Sequence, residues 1–177
     1  MPSSGPAARG LQAPPRIMIG APHGRSGKTV VSIGICRALA RRGIKVQAFK
    51  KGPDYIDPSW LSAASGRDCR TLDAFLMPED RLLENFTSPW PDTDLALIEG
   101  NMGLFDGMDR EGGGSSAALA RLTRTPVILV VDSARMSRSA AALVKGFMEF
   151  EPGTAIAGVI LNNVAGERHR KKLTEAV

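Results

Sequence analysis

Five short runs of mainly apolar residues recur along the chain of 177 residues: IMIG at 17–20, VQAF at 46–49, LALIE at 95–99, VILVVD at 127–132 and IAGVIL at 156–161. Each is rich in Val, Ile or Leu and none keeps the polar alternation of a half-exposed strand, so each reads as a strand buried on both faces. Between them lie helical patterns at 27–42, 58–65, 78–85, 115–122, 138–150 and from 168 onward. Such alternation predicts an α/β fold, an open twisted parallel sheet with helices on both faces. Ligands on these sheets are expected at the carboxyl ends of the strands. Residues 1–15, rich in Pro, Gly, Ala and Ser without hydrophobic period, read as a flexible leader, and residues 16–177 as one domain. The chain stops at Val177 inside a helical pattern with no stop signal, as a part of something longer would.

Composition narrows the function. There is no apolar run of membrane length and no charged-then-apolar leader, so a cytoplasmic protein without a membrane role is expected. The net charge of +5 is spread along the chain, and its one tight cluster, Arg168, His169, Arg170, Lys171 and Lys172, reads as a solvated helix face. Two Trp, one Tyr and six Phe, without basic residues interleaved, give no support to nucleic-acid binding. Cys36 and Cys69 have no metal-ligand spacing, and Cys36 falls in a helical pattern as a core residue would.

The stretch APHGRSGKTVV at 21–31 joins the first strand to a strongly periodic helix closed by Gly43. That is the setting of a phosphate-binding loop, with Gly24, Arg25, Ser26, Gly27, Lys28 and Thr29 as the nucleotide-binding set. Glycines turn backbone N–H groups inward, the helix N-terminus adds partial positive charge, Lys28 reaches the terminal phosphates and the Thr29 hydroxyl ligates Mg²⁺. Pro22 replaces the first glycine of the motif, a tolerable change where that position needs neither positive φ nor an N–H donor.

Two further segments should meet this loop. FKKGPDYIDPSW at 49–60 places Lys50, Asp54 and Asp57 after a buried strand. Its plain reading makes Asp57 the N-cap of the next helix and Pro58 the first helical residue, leaving Asp54 unexplained. DLALIEGNMGLFDG at 94–107 ends a buried strand in Glu99, where phosphate-loop enzymes place a carboxylate of the Mg²⁺ shell, and Asp106 follows beyond two glycines.

FKKGPDYIDP, IEGNMGLFDG, PVILVVDSARMSRSAAALVKGF and GVILNNV together resemble the cobyrinic acid a,c-diamide synthase family, in the dethiobiotin-synthetase branch of P-loop NTPases, from about Arg16 to the end. The resemblance implies an ATP- and Mg²⁺-dependent ligase. It would amidate the a and c carboxylates of cobyrinic acid, or of a related tetrapyrrole, through an acyl phosphate in cobalamin biosynthesis. It also implies roles in catalysis and substrate handling for Asp54, Tyr55, Asp57, Glu99 and Asp106, metal contacts from Thr29, Asp57 and Glu99, and an adenine contact from Asn162; bringing a polyanionic substrate up to ATP needs cations, which Lys28, Lys50 and the metal would supply. Ammonia would be free or come from a glutaminase domain or subunit, and homodimers are common in such families.

Three departures accompany the resemblance. Ala21 and Pro22 stand where Gly-Thr is usual, Leu61 stands where histidine often follows the aromatic residue, and no glutaminase domain with its Cys nucleophile follows within these 177 residues. Alternatives are another carboxylate-activating enzyme of the branch, or a partitioning-type ATPase switch. The switch reading lacks its signature lysine, for which the chain has His23. An inert fragment is a third alternative.

Overall fold

The computed structural model describes residues 13–177. Six strands, β1 (Arg16–Gly20), β2 (Val46–Lys51), β3 (Arg70–Leu72), β4 (Leu95–Glu99), β5 (Val127–Asp132) and β6 (Ile156–Asn162), form one all-parallel sheet in the order β3-β2-β4-β1-β5-β6. The five strands expected from sequence are present. The sixth, β3, has the sequence RTL, two polar residues and one buried leucine, so it carries no apolar run. It pairs with β2 at the sheet edge, Lys51 opposite Leu72.

Helices α1 (Lys28–Ala40) and α2 (Ile56–Ser65) cover one face, and α3 (Glu79–Thr87), α4 (Ser116–Leu122) and α5 (Ser139–Glu149) the other. Helix α6 (Glu167–Ala176) packs beside α5 through the buried Leu173 and turns Arg168 and Arg170 to Lys172 outward, the solvated face expected. Two cores result. Ile19, Cys36, Val46, Ala48, Leu61 and Leu97 build the one under α1 and α2. Met18, Phe49, Phe86, Ile98, Leu104 and Leu129 build the other. Because consecutive strand residues point to opposite faces, each buried strand feeds both cores, which is why its sequence is apolar throughout.

Several local expectations are corrected. Residues 1–12 of the leader lie outside the described residues, but its last residues belong to the fold. Pro14 is buried and the Pro15 carbonyl accepts from Ala96 N at 2.9 Å. Helix α2 starts at Ile56, so Asp57 is not its cap. The Asp54 carboxylate accepts from the backbone N of Ile56 (2.9 Å) and Asp57 (3.2 Å) and thus serves the orphan donors of the first turn. Pro58 sits within that turn, where a missing N–H costs nothing. Leu61 is fully buried on the inner side of α2, a packing position with no reach to a ligand, whereas its neighbour Trp60 is exposed.

Candidate active site

The same alternation that builds the cores aims the polar ends of the strands. On β2, Val46, Ala48 and Lys50 face α1 and α2; on β4, Leu97 and Glu99 do the same. Lys50 and Glu99 lie opposite each other in the β2–β4 register, at the carboxyl edge where α1 begins. The turn after β1 brings Thr29, in the first turn of α1, directly onto this pair. Its hydroxyl lies 2.7 Å from Glu99 Oε1 and 3.3 Å from Asp57 Oδ2. Lys50, 1% exposed, reaches Asp54 at 3.7 Å and Asp57 at 3.8 Å and donates to the Lys51 carbonyl at 3.2 Å.

Asp54, read from sequence as unexplained, thus has two tasks: it caps α2 and it pairs with Lys50. Burial pushes its carboxyl up, but the N–H groups of Asp57 and Ile56 and the Lys50 ammonium together hold it below the usual carboxylate range. The capping role freed Asp57 to face Thr29.

Glu99 is the most unusual group. It is 1% exposed, one oxygen is held by Thr29 and the other, Oε2, is buried without a partner. Burial, opposed by the Thr29 hydrogen bond and Lys50, pushes its carboxyl up to about 7. An unsatisfied buried carboxylate oxygen is costly.

The loop itself is wound for anion binding. Gly27 has φ 96° and Arg25 φ 63°, both left-handed, whereas Pro22 keeps negative φ, so the proline sits where the motif demands no special backbone. Ser26 is buried and donates to the His23 carbonyl at 2.9 Å. Lys28 turns into the loop, donating to Met102 O (2.7 Å) and His23 O (3.4 Å), and burial pulls its ammonium below the ordinary value against the pull of Glu99. Asn162, at the end of β6, donates from Nδ2 to Ser26 O at 3.0 Å, and a Cβ at Gly27 would stand 2.2 Å from that nitrogen. In this structure Asn162 buttresses the loop, a contact that its sequence position alone does not reveal.

Asp106 is exposed and accepts from Gly103 N at 3.0 Å, closing the loop after β4. Tyr55 is 92% exposed and makes no side-chain hydrogen bond among the described residues. Gly24 and the Arg25 side chain lie on the outer part of the phosphate loop. Burial pushes the Cys36 and Cys69 thiols up to about 12, away from the thiolate form in which cysteine attacks.

A phosphate loop joined to a β4 carboxylate is common to many nucleotide-binding proteins, and sequence comparison narrows the choice. Residues 17–177 match the family described as the CobQ/CobB/MinD/ParA nucleotide binding domain. The chain belongs to this family. Within the CobQ/CobB/MinD/ParA group it is 52% identical over 163 residues to a protein of Magnetococcus marinus named cobyrinate a,c-diamide synthase, covering 92% of this chain and 35% of that protein. It is 48% identical over 163 residues to a hydrogenobyrinate a,c-diamide synthase of Mesorhizobium japonicum, covering 91% and 37%. The chain therefore spans about a third of the length of these relatives. Among solved structures, chloroplast FtsY of Physcomitrella patens superposes with a TM-score of 0.55 at 17% identity, over 85% of this chain and 50% of that one, a likeness of fold. No helix among the described residues is long and apolar enough to cross a membrane.

Proposed function

We propose that the chain is the ATP-binding synthetase unit of a tetrapyrrole a,c-diamide synthase, which activates a substrate carboxylate by phosphoryl transfer and yields it to ammonia. The observation that carries this reading is the Thr29 hydroxyl bracketed by Glu99 and Asp57 beside Lys28 and Lys50. The names of the relatives supply the substrate class.

The donor set suits magnesium. Mg²⁺ takes hard oxygens and binds through one or two carboxylates together with substrate phosphates. Thr29, Glu99 and Asp57 offer such oxygens, and the buried, partnerless Oε2 of Glu99 supports the fit. When bound, the metal would offset the charge of the phosphates.

The residues of the chain account for the rest. Backbone N–H groups of the loop at Gly24 to Lys28 cradle the phosphates, and Lys28 exchanges its carbonyl contacts for the terminal phosphates. Lys50, fixed by two carboxylates, presents a positive charge at the cluster where the acyl and phosphoryl oxygens would meet. A carboxylate is a poor acyl donor because it would have to expel an oxide; transfer of the γ-phosphoryl group makes phosphate the leaving group, which ammonia displaces to give the amide. Asp106 shapes the loop that carries Met102, so its role is to position this wall. Ammonia enters free or from a glutaminase unit.

The test is ADP release with Mg²⁺, ATP and ammonium chloride, with and without cobyrinic acid, alongside Glu99→Ala. Release that depends on the corrinoid, with the mass change of carboxyl-to-amide conversion and loss in the variant, supports the reading. Nucleotide binding without turnover on any tetrapyrrole carboxylate overturns it.

A further inference from the structure

We infer that a cavity of about 270 Å³ beside the phosphate loop receives a carboxylate-bearing arm of the substrate, with the Lys51 ammonium as its anchor. The inference rests on the carboxylate-activating reading above and assigns a substrate-positioning residue to it.

Lys51 follows Lys50 on β2, so the two side chains leave the strand on opposite faces. Lys50 enters the carboxylate cluster under α2. Lys51 enters the cavity at the ends of β2, β3 and β4, which Asp73, Phe75, Asn101, Met102 and Asp106 also line. Met102 and Asp106 make this wall common ground with the nucleotide site, because the Met102 carbonyl accepts from Lys28 and Asp106 closes the same loop. An arm held here would lie one loop away from the terminal phosphates, yet outside the phosphate loop itself, which follows β1 on the other side of β4.

Two observations give the cavity its chemistry. Lys51 is only partly exposed and, unlike Lys50, has no hydrogen-bond or ion-pair partner for its ammonium among the described residues. Asp73 is 6% exposed; its Oδ1 accepts from Phe75 N (2.8 Å) and Leu76 N (3.4 Å), while its Oδ2 is buried and partnerless. Burial pulls the Lys51 ammonium below its ordinary value, and the Asp73 charge opposes this without closing a bond. On its other side Lys51 borders a smaller cavity of about 220 Å³ that Glu79 also lines. With Asp73 near it but not bonded to it, this half-buried cation keeps its donors free toward open volume, and a carboxylate on a flexible arm can accept from them in a charge-assisted hydrogen bond.

The experiment is acylation of lysines on the full chain with an amine-reactive ester, read by peptide mass spectrometry, alone and with either succinate or cobyrinic acid. Both carboxylates should lower labelling of Lys51 several-fold while the exposed Lys145 and Lys171 label as before. Lys51→Met should weaken cobyrinic acid binding about tenfold, the loss of one charge-assisted contact, with unchanged nucleotide affinity, and Lys51→Arg should recover most of it. Equal labelling of Lys51 with and without both carboxylates overturns the inference, as does a fall in nucleotide affinity in Lys51→Met. Protection by succinate but not by the corrinoid keeps the cavity and overturns the tetrapyrrole reading instead. If Asp73→Asn raises the half-saturating ammonium concentration while Lys51 stays unprotected, the cavity is an ammonia site and the inference falls.

Discussion

Glu99 holds its proton more tightly in the folded chain than in the unfolded one, since burial moves its carboxyl from an ordinary 4.5 up to about 7. Between those values the folded state binds the extra proton, so ligand-free stability should fall as pH rises through that window. Each unit of displacement is worth about 1.4 kcal/mol, so the effect is on the order of 3 kcal/mol. Thermal unfolding without nucleotide at pH 5 and pH 7.5 reads it, and Glu99→Gln should flatten the difference. A second residue-scale expectation concerns Gly27. Its φ of 96° and the 2.2 Å approach of Asn162 Nδ2 to a Cβ mean that Gly27→Ala must both strain the backbone and displace the buttress. Roughly 1–2 kcal/mol of strain is expected. Nucleotide affinity, measured by calorimetry, should drop at least about tenfold, as expected when loop N–H groups lose their aim.

At the scale of elements, α2 depends on a carboxylate that lies outside it. Asp54→Ala should cost about 1 kcal/mol of stability as the first turn loses its acceptor, whereas Asp54→Asn should keep most of it; urea unfolding midpoints of the two variants decide. This helix also shows what was legible in the sequence. Two carboxylates three residues apart with a proline after the second point to Asp57 as cap by helix-start statistics. The chain instead begins the helix two residues earlier, because Asp54 alone can reach back-to-back N–H groups from the loop while Lys50 holds it in place. The phosphate loop, Glu99 and the five long strands were readable because each rests on consecutive residues or a fixed spacing. Strand β3 was not, since RTL earns its strand geometry from pairing with β2 at the edge. The cavity at Lys51 was hidden with it, as Asp73 comes to that place only once β3 is laid beside β2. The contact between Asn162 and Ser26 spans 136 residues, beyond any local pattern.

For the whole molecule, a site built from the ends of β1, β2, β4 and β6 ties nucleotide binding to the stability of the complete sheet. Mg²⁺ and ATP at a hundred times the dissociation constant should stabilise the fold by about 2.7 kcal/mol. That corresponds to roughly 5–10 °C in melting temperature for a chain of this size. Differential scanning fluorimetry should show the shift with both ligands together and little with ATP alone, and Glu99→Gln should erase the metal-dependent part. The family to which the chain belongs is described by its nucleotide binding, and this shift tests that site without regard to the substrate. The neighbouring lysines of β2 set a stricter condition on the molecule. With Lys50 on one face of the sheet and Lys51 on the other, insertion or deletion of a single residue upstream in that strand would turn each lysine to the opposite face and break the pairing of Lys50 with Asp54 and Asp57. The length of β2 is therefore as much a part of the site as any residue in it.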